Sequence, residues 1–133
     1  MIKEIENIEL TYLTNKDYPE LKEAMIESYP NMPDSYWRKE QIESLISKFP
    51  KGQVVVKING EFAGCALSIA VDYSAFDEFH TYKELTGNYT FSTHNNEGDV
   101  LYGIDVFIRK KYRGLRIGRR LYDYRKELTE ELN

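Results

Sequence analysis

The spacing of apolar residues predicts one strand and two helices in the first fifty positions. Apolar and polar residues alternate from Ile8 to Thr14, which is the pattern of a half-buried strand. Apolar residues then recur at helical spacing, first at Tyr18, Leu21, Met25 and Tyr29, and again at Ile42, Leu45, Ile46 and Phe49. We expect Thr14 or Asn15 to cap the first helix and Asp34 to cap the second, which Pro50 stops.

A hairpin is the clearest local signal in the chain. Two apolar segments rich in β-branched residues, Gln53 to Ile58 and Glu61 to Val71, flank the dipeptide Asn59-Gly60. Asparagine and glycine both accept the positive φ angles of a type I′ turn. We therefore predict two neighbouring antiparallel strands joined by a two-residue turn.

The second half of the chain contains a long connection, a strand and a helix. Residues 73–99 are acidic and rich in Asn, Thr and Gly, with one helical turn expected near Thr81 to Leu85. Val100 to Ile108 is apolar at nearly every position, which predicts a strand covered on both faces. A last helix, from about Leu115 to Glu131, carries an apolar stripe of Ile117, Leu121, Tyr124, Leu128 and Leu132. The element order is β-α-α-β-β-β-α, an α/β (α+β) fold in one domain, 1–133.

Composition restricts the class of protein further. The 133 residues are 41% hydrophobic and 30% charged, which is typical of one globular domain with its own core. No apolar run approaches the roughly 20 residues that span a bilayer, and the charged N-terminus has no apolar signal core. We therefore expect a cytoplasmic protein without a membrane partner. Cys65 is the only cysteine, which excludes an internal disulfide, and its apolar surroundings favour a buried structural thiol.

The charge distribution indicates one compact anionic ligand. The net charge is −4, yet seven basic residues and no acidic residue lie between Arg109 and Arg120. A general nucleic-acid-binding protein is usually basic over a whole face. We therefore expect no nucleic-acid partner, and RNA binding through the basic turn is the weakest interpretation.

The basic segment joins the fourth strand to the last helix through a short turn that contains glycine. The first amides of a helix have no internal partner and the helix dipole is positive there, so both favour an anion. Gly114 and Gly118 let a ligand approach the main chain closely, and Arg113, Arg116 and Arg119 can fork onto phosphate oxygens. The Gly-Lys-Ser/Thr ending of a Walker A loop and the G-x-G-x-x-G dinucleotide pattern are both absent.

This segment resembles motif A of the GNAT superfamily of acyl-CoA-dependent N-acyltransferases. The family pattern, Arg/Gln-x-x-Gly-x-Gly/Ala, follows a strand and opens a helix. Arg113 takes the Arg/Gln place and Gly118 the last Gly/Ala place, whereas Arg116 replaces the middle Gly and Lys110 stands where many members have Pro. The order of elements resembles that of the family over nearly the whole chain.

The resemblance implies a fold and a donor site. We expect a GNAT-like, mostly antiparallel central sheet flanked by helices. The pyrophosphate of acetyl-CoA would lie on the amides of Arg113, Gly114, Leu115, Arg116, Ile117, Gly118 and Arg119, and the pantetheine arm would pair with the backbone of Phe107 and Ile108. The implied activity is transfer of an acetyl group from acetyl-CoA to a small-molecule or peptide amine.

The usual C-terminal strands of the family are absent from this sequence, and with them the Tyr or Ser that protonates the leaving thiolate in many members. We therefore expect a C-terminally truncated chain or part of a longer protein, with a homodimer partner or a covalently attached second domain. The segments YPNMPDSYW and NYTFSTHN are similar to the N-terminal region of proteins that fuse a GNAT domain to a carbon–nitrogen hydrolase. The alternative function is a non-catalytic CoA-binding or regulatory module attached to another enzyme.

Asp105 is the candidate catalytic residue. Acyl transfer needs a base for the ammonium group of the acceptor, and Asp105 interrupts an apolar strand beside the implied thioester. Burial would raise its pKa, which suits a base working near neutrality. The alternative is that Asp105 pairs with a core arginine or caps a neighbouring backbone group. Glu97 and Asp99 are weaker candidates for the base.

The acidic connection offers no metal site by its spacing. His80 and His94, near Asp77, Glu78 and Glu97, do not supply a compatible set of ligands, and we interpret both histidines as solvated loop residues. The connection itself is either a solvated insertion or, by the resemblance, the wall on the acceptor side. In the second case its negative charge would favour a cationic acceptor.

Overall fold

The computed structural model describes residues 7–76 and 80–132 and confirms the α/β architecture. Its strands are β1 Ile8–Tyr12, β2 Val54–Ile58, β3 Glu61–Val71 and β4 Val100–Ile108. Its helices are α1 Tyr18–Ser28, α2 Lys39–Lys48, the single turn α3 Tyr82–Leu85, and α4 Ile117–Leu132. None of the helices in these ranges is both long and apolar enough to cross a membrane.

The four strands form one antiparallel sheet in the order β1-β2-β3-β4. The predicted hairpin is confirmed, because Asn59 and Gly60 join β2 to β3 with φ angles of +51° and +82°, as a type I′ turn requires. β4 lies at one edge of the sheet, and within the described ranges no strand pairs with its outer side. One edge of the backbone of β4 is therefore open.

Helices cover both faces of the sheet. The helices α1 and α2 pack on one face, with a core that includes Leu21, Met25, Ile42, Leu45, Val55, Leu67 and Phe107. The other face packs against α4, with a core that includes Val54, Val56, Ala66, Ile117 and Leu121. Cys65 is fully buried in the first core, as predicted, and this burial raises the pKa of its thiol.

A β-bulge interrupts the pairing of β3 with β4. Leu67 lies opposite Asp105, whereas the next residue, Ser68, lies opposite Gly103, so Ile104 has no partner across the ladder. The side chains of Ile104 and Asp105 both line the same cavity on the α1–α2 face. Regular alternation already places Asp105 on this face, because it lies two residues before Phe107 and opposite Leu67, so the bulge is what brings the neighbouring residue Ile104 to the same side.

Two predicted helix caps lie elsewhere in the structure. Asp34 does not cap α2, because it belongs to a separate 3₁₀ turn before that helix. Arg38 precedes α2 instead, and its amide donates to Oε1 of Gln41 at 2.8 Å. Thr14 caps a short 3₁₀ turn rather than α1 itself, and its amide donates to Oδ2 of Asp17 at 2.9 Å.

The last helix begins two residues later than predicted, at Ile117 rather than at Leu115. Arg116 adopts a φ of +59°, and an α-helix requires a φ near −63°. The left-handed residue therefore ends the preceding turn and sets the start of α4.

The prediction that β4 is covered on both faces is wrong. Ile104 and Phe107 are buried, but Gly103 and Val106 are exposed, and the other positions are half-buried. An edge strand has a neighbour on one side only, so its apolar sequence does not by itself ensure two covered faces.

The connection between β3 and β4 is fastened to the sheet. Ala70 donates its N–H to Nδ1 of His94 at 3.1 Å and accepts a hydrogen bond from the amide of Asn95 at 2.8 Å. The ring of His94 also stacks on Phe49, with 4.6 Å between centroids. The interpretation of His94 as a solvated loop residue is therefore wrong.

The second histidine of the connection also contacts protein. The ring of His80 lies against the rings of Tyr73 and Phe76, at centroid distances of 5.2 and 5.7 Å. Asp77 and Glu78 lie outside the described residues. Across 7–76 and 80–132, no group of three or more histidine, cysteine or acidic side chains is arranged to hold a metal ion.

Gly98 closes the connection against β3, and we expect Gly98→Ala to destabilise the fold. A Cβ at this position would lie 2.5 to 2.7 Å from backbone atoms of Val71. Overpacking of this kind costs about 1–3 kcal/mol. Gly118→Ala is the matched control, because no atom lies within 4 Å of its added Cβ. Chemical denaturation measures both variants, and an unchanged free energy of unfolding for Gly98→Ala would contradict the close packing described here.

Candidate functional site

The segment between β4 and α4 is a compact turn with two left-handed residues. Lys110–Tyr112 form one 3₁₀ turn, after which Gly114 and Arg116 adopt φ angles of +90° and +59°. Glycine reaches such angles without strain, whereas for other residues they cost on the order of 1 kcal/mol. Arg116 stands where the motif A pattern has its middle glycine. The turn therefore keeps a backbone conformation that suits glycine even though arginine occupies the position.

Six successive amides in this turn have no internal hydrogen-bond acceptor. In the part of the chain that the structure describes, no group accepts from the backbone N–H of residues 114–119. The amide of Arg120 is the next one along the chain, and it donates to the carbonyl of Arg116 at 3.2 Å. Unpaired amides at the positive end of a helix dipole form an anion-binding site. The residues predicted to hold a pyrophosphate include these six and also Arg113, whose amide is not available because it donates to the carbonyl of Lys110 at 3.3 Å.

No carboxylate of the described residues lies within ion-pair distance of the three arginines around these amides. These arginines, Arg113, Arg116 and Arg119, are exposed. Lys111, in contrast, pairs with Glu61, with 2.8 Å between Nζ and Oε2. The available positive charge is thus concentrated at the start of α4.

Acidic residues on α1 hold the beginning of the basic turn in place. Glu27 accepts hydrogen bonds from Nε of Arg109 at 2.9 Å and from the amide of Lys110 at 3.0 Å. Partial burial raises the pKa of Glu27, but these hydrogen bonds and the charge of Arg109 together lower it by more. The pKa of Glu27 therefore lies below its usual value. Glu23 also pairs with Arg109 at 3.2 Å. These contacts between α1 and the basic turn were not predicted from the sequence. Their signal in the sequence is a pair of acidic residues one helical turn apart.

Gly114 and Gly118 leave the surface of the turn open. No atom lies within 4 Å of a Cβ built on either residue, so a ligand can approach the main chain there. Ile117 is buried against the sheet and anchors the first turn of α4. Of the residues predicted to hold the pyrophosphate, Ile117 can therefore offer its amide but not its side chain, whereas Leu115 is partly exposed beside the amides.

The open edge of β4 leads away from this turn. The amide of Arg109 donates to the carbonyl of Ala63 at 2.7 Å, and Phe107 lies opposite Cys65. Hydrogen-bonded and non-hydrogen-bonded pairs alternate along an antiparallel ladder. The backbone polar groups of Phe107 therefore point toward β3, and those of Ile108 point toward the open edge. Of the two residues predicted to pair with pantetheine, Ile108 offers its backbone to a ligand.

Asp105 lies half-buried on β4 with its carboxylate held by an indole. Oδ2 of Asp105 accepts a hydrogen bond from Nε1 of Trp37 at 2.9 Å. Burial raises the pKa of this carboxyl, while the Trp37 hydrogen bond and the positive charge of Arg125 lower it by less. The net pKa lies above that of an exposed aspartate, so the group can accept a proton closer to neutrality.

Arg125 extends from α4 to the bulge. One Nη atom donates to the carbonyl of Leu67 at 2.7 Å and to the carbonyl of Asp105 at 3.3 Å. Arg125 therefore binds the backbone of Asp105, and the structure does not show the alternative in which the Asp105 carboxylate pairs with a core arginine. Gly103 makes room for the guanidinium, since a Cβ there would lie 2.7 Å from Nη1. Arg125 was not predicted; its signal is a basic residue four positions after Leu121 on the apolar stripe.

A cavity of about 440 Å³ opens beside Asp105 on the α1–α2 face. Five aromatic side chains line it, namely Tyr29, Tyr36, Trp37, Tyr82 and Tyr89. The other lining residues are Asp34, Gln41, Ile104 and Asp105. The volume lies within the range of small-molecule sites. The weaker base candidates Glu97 and Asp99 do not line this cavity.

Hydrogen bonds hold the aromatic walls of the cavity. The hydroxyl of Tyr82 donates to the carbonyl of Ile104 at 3.1 Å, and Nε2 of Gln41 donates to the carbonyl of Tyr89 at 3.2 Å. The rings of Trp37 and Tyr89 meet edge to face, with 5.8 Å between centroids. None of these residues was predicted as part of the site, because they lie on segments far apart in the sequence.

Several solved structures share this fold. Their sequence identities to this chain are low, so the matches show the fold and nothing more. The GphF GNAT-like decarboxylase in complex with isobutyryl-CoA matches with a TM-score of 0.72 at 16% identity, covering 87% of this chain and 56% of that chain. The loading GNATL domain of CurA from Lyngbya majuscula matches with a TM-score of 0.68 at 19% identity, covering 90% of this chain and 56% of that chain. Ard1 from Thermoplasma volcanium matches with a TM-score of 0.65 at 14% identity, covering 95% of this chain and 66% of that chain.

Sequence relatives identify the family. The chain is 33% identical over 129 residues to the probable hydrolase YhcX of Bacillus subtilis (strain 168), which covers 97% of this chain and 24% of that protein. It is 32% identical over 93 residues to the uncharacterized N-acetyltransferase YkwB of the same organism, covering 70% and 41%. The chain thus spans about a quarter and about two-fifths of these relatives. The model of the acetyltransferase (GNAT) family matches residues 14–133, and the chain therefore belongs to that family.

Proposed function

We propose that this chain is an acyl-CoA-dependent N-acetyltransferase domain that transfers an acetyl group from acetyl-CoA to an amine. The observation that carries the proposal is the set of six unpaired amides at residues 114–119, with Arg113, Arg116 and Arg119 around them. Membership of the GNAT family supports an acyl-CoA donor. A neighbour of the same fold solved in complex with isobutyryl-CoA supports it as well.

The donor would lie along β4 and the turn that follows. Its diphosphate would accept hydrogen bonds from the unpaired amides and from the three guanidinium groups, which bind phosphate oxygens in a forked geometry. Its pantetheine arm would follow the open edge of β4, where Ile108 offers backbone groups. Asp105 and Arg109 are four residues apart, about 13 Å along an extended strand. An extended arm can therefore reach from the turn to the cavity beside Asp105.

Asp105 would act as the base for the acceptor. The ammonium group loses a proton to the Asp105 carboxylate, and the amine nitrogen then attacks the carbonyl carbon of the thioester. A new N–C bond forms as the C–S bond breaks, and the nitrogen gives up its second proton, which passes through water to the leaving thiolate. The Asp105 carboxyl returns its proton to solvent, so the products are the N-acetylated amine, free CoA and one proton. The raised pKa of Asp105 favours this role.

A second candidate is a CoA-binding regulatory module attached to another enzyme. It is favoured by the 33% identity of this chain to a quarter of a probable hydrolase. Both candidates bind acyl-CoA, but only the first transfers the acyl group. Release of free CoA from acetyl-CoA in the presence of a panel of amines therefore separates them.

We expect Gly118→Leu to weaken the binding of acetyl-CoA by about 10- to 100-fold, as measured by calorimetric titration. The leucine side chain would fill the open space over the amides and block the diphosphate, and each charge-assisted hydrogen bond lost costs about 1.5–3 kcal/mol. The fold should persist, because the chain itself leaves that space empty.

Gly118→Ala is the matched control for this experiment, because the family pattern accepts alanine at that place. It should bind acetyl-CoA nearly as well as the wild type. If Gly118→Leu binds acetyl-CoA with unchanged affinity while remaining folded, the donor does not lie on this turn.

We expect Asp105→Asn to lower kcat for acetyl transfer by about 10²- to 10⁴-fold, the usual contribution of a general base. Asparagine keeps the shape and can still accept the hydrogen bond from Trp37, so acetyl-CoA affinity should change little. Steady-state kinetics and calorimetry measure the two quantities separately. A variant with wild-type kcat would exclude Asp105 as the base.

The same substitution should stabilise the protein at neutral pH. The pKa of Asp105 is raised in the folded state, so folding favours the protonated form and its ionisation destabilises the fold as pH rises through the folded pKa. Asparagine cannot ionise. Thermal unfolding should therefore show a larger advantage for Asp105→Asn at pH 8 than at pH 4, and the opposite trend would contradict the raised pKa.

A further inference from the structure

We propose that the cavity beside Asp105 selects acceptors that carry a second positive charge, such as a flexible aliphatic diamine. The inference rests on the proposed function and names the class of amine that the site would take. The nine residues lining the cavity include two carboxylates, Asp34 and Asp105, and no lysine or arginine. The lining of the cavity therefore carries negative charge only, although the basic turn lies farther along the same strand.

The two carboxylates lie at different depths. Asp105 is half-buried and bound to the indole of Trp37, whereas Asp34 is exposed in the turn between α1 and α2. A diamine can place one ammonium group beside each carboxylate, and the attraction is strongest where the cavity excludes water. An acceptor that carries its own carboxylate would instead bring like charges together and be repelled.

Aromatic rings line the same cavity as the two acids. The ring of Tyr89 lies 5.8 Å from Trp37 and 6.1 Å from Tyr82, centroid to centroid. Aromatic faces attract alkylammonium groups, and the flat apolar surfaces pack well against a methylene chain. A small cavity of about 440 Å³ with such walls suits a short aliphatic chain with charged ends.

The two charges of the acceptor would have different fates. The ammonium group at Asp105 loses its proton and is acetylated, whereas the one at Asp34 stays charged and only holds the acceptor. The acetylated product carries one positive charge fewer than the diamine. It therefore binds the two carboxylates more weakly, which favours its release after a single transfer.

Three probes of matched length test the proposal, with affinity measured by equilibrium dialysis in the absence of CoA. They are 1,5-diaminopentane, 1-aminopentane and 5-aminopentanoate, which carry two positive charges, one positive charge, and one charge of each sign. At low salt the diamine should bind at least about tenfold more tightly than the monoamine, and the amino acid should bind weakest. Added salt should narrow the difference, because it screens the exposed Asp34.

Asp34→Asn should remove the preference for the diamine over the monoamine. Asp34 has no hydrogen bond that the fold of α2 depends on, since Arg38 and Gln41 form that cap. Glu130→Gln is the matched control, because it removes one exposed acidic charge on α4 outside the cavity. This control should keep the full preference.

The binding assay and the acetylation assay distinguish the two proposals. Equal affinity for the diamine and the monoamine overturns the inference even if both are acetylated. If the protein prefers the diamine and Asp34→Asn abolishes that preference, the inference is supported even if no acetyl transfer occurs. In that case the missing acetyl transfer contradicts the proposed function instead. A preference that Asp34→Asn leaves intact overturns the assignment of Asp34.

Discussion

The geometry of the site depends on one irregularity, the extra residue that β4 carries opposite β3. Because Ile104 has no partner in the ladder, the phase of β4 changes there, and Ile104 joins Asp105 and Phe107 on the face covered by α1 and α2. With regular alternation, consecutive residues would serve opposite faces. Arg125 donates to carbonyl groups on both strands at this point, so a half-buried guanidinium holds the bulge in place. The cavity beside the Asp105 carboxylate thereby gains Ile104 as part of its lining.

The helix that fixes the bulge is also the helix that presents the unpaired amides. The first turn of α4 points its N–H groups at the proposed diphosphate, and two turns later Arg125 holds the bulge behind Asp105. The two parts of the site therefore share one strand and one helix, and neither can move far without the other. Glu27 adds a third attachment, because it ties the beginning of the basic turn to α1, the helix that also contributes Tyr29 to the cavity.

Local signals in the sequence predict the framework well, and they also predict the glycine-containing basic turn between β4 and α4. Asn59-Gly60 favours one backbone geometry, the type I′ turn. The order of strands and helices follows from the periodicity of apolar residues on each side of it. The cavity is different, because its parts are distant in sequence. Trp37 and Asp105 are 68 residues apart, and nothing local to either residue indicates the hydrogen bond between them. The bulge is equally hidden, since one extra residue in an apolar strand leaves no change in composition. The sequence signal of Arg125 is a basic residue on the apolar face of α4. That signal does not indicate which groups the guanidinium contacts.

Two segments proposed to bind substrates contain residues with unfavourable backbone conformations. Arg116 in the turn and Tyr89 in the cavity wall both adopt left-handed backbone angles, with φ of +59° and +64°, and each costs on the order of 1 kcal/mol. Asp105 adds the cost of a carboxyl group that burial disfavours when charged. Selection for stability alone would replace these residues with glycine or with neutral side chains. Arg116, Asp105 and Tyr89 thus each carry a local cost at a place where the proposed function uses the residue, for the diphosphate, the ammonium group and the aromatic wall respectively.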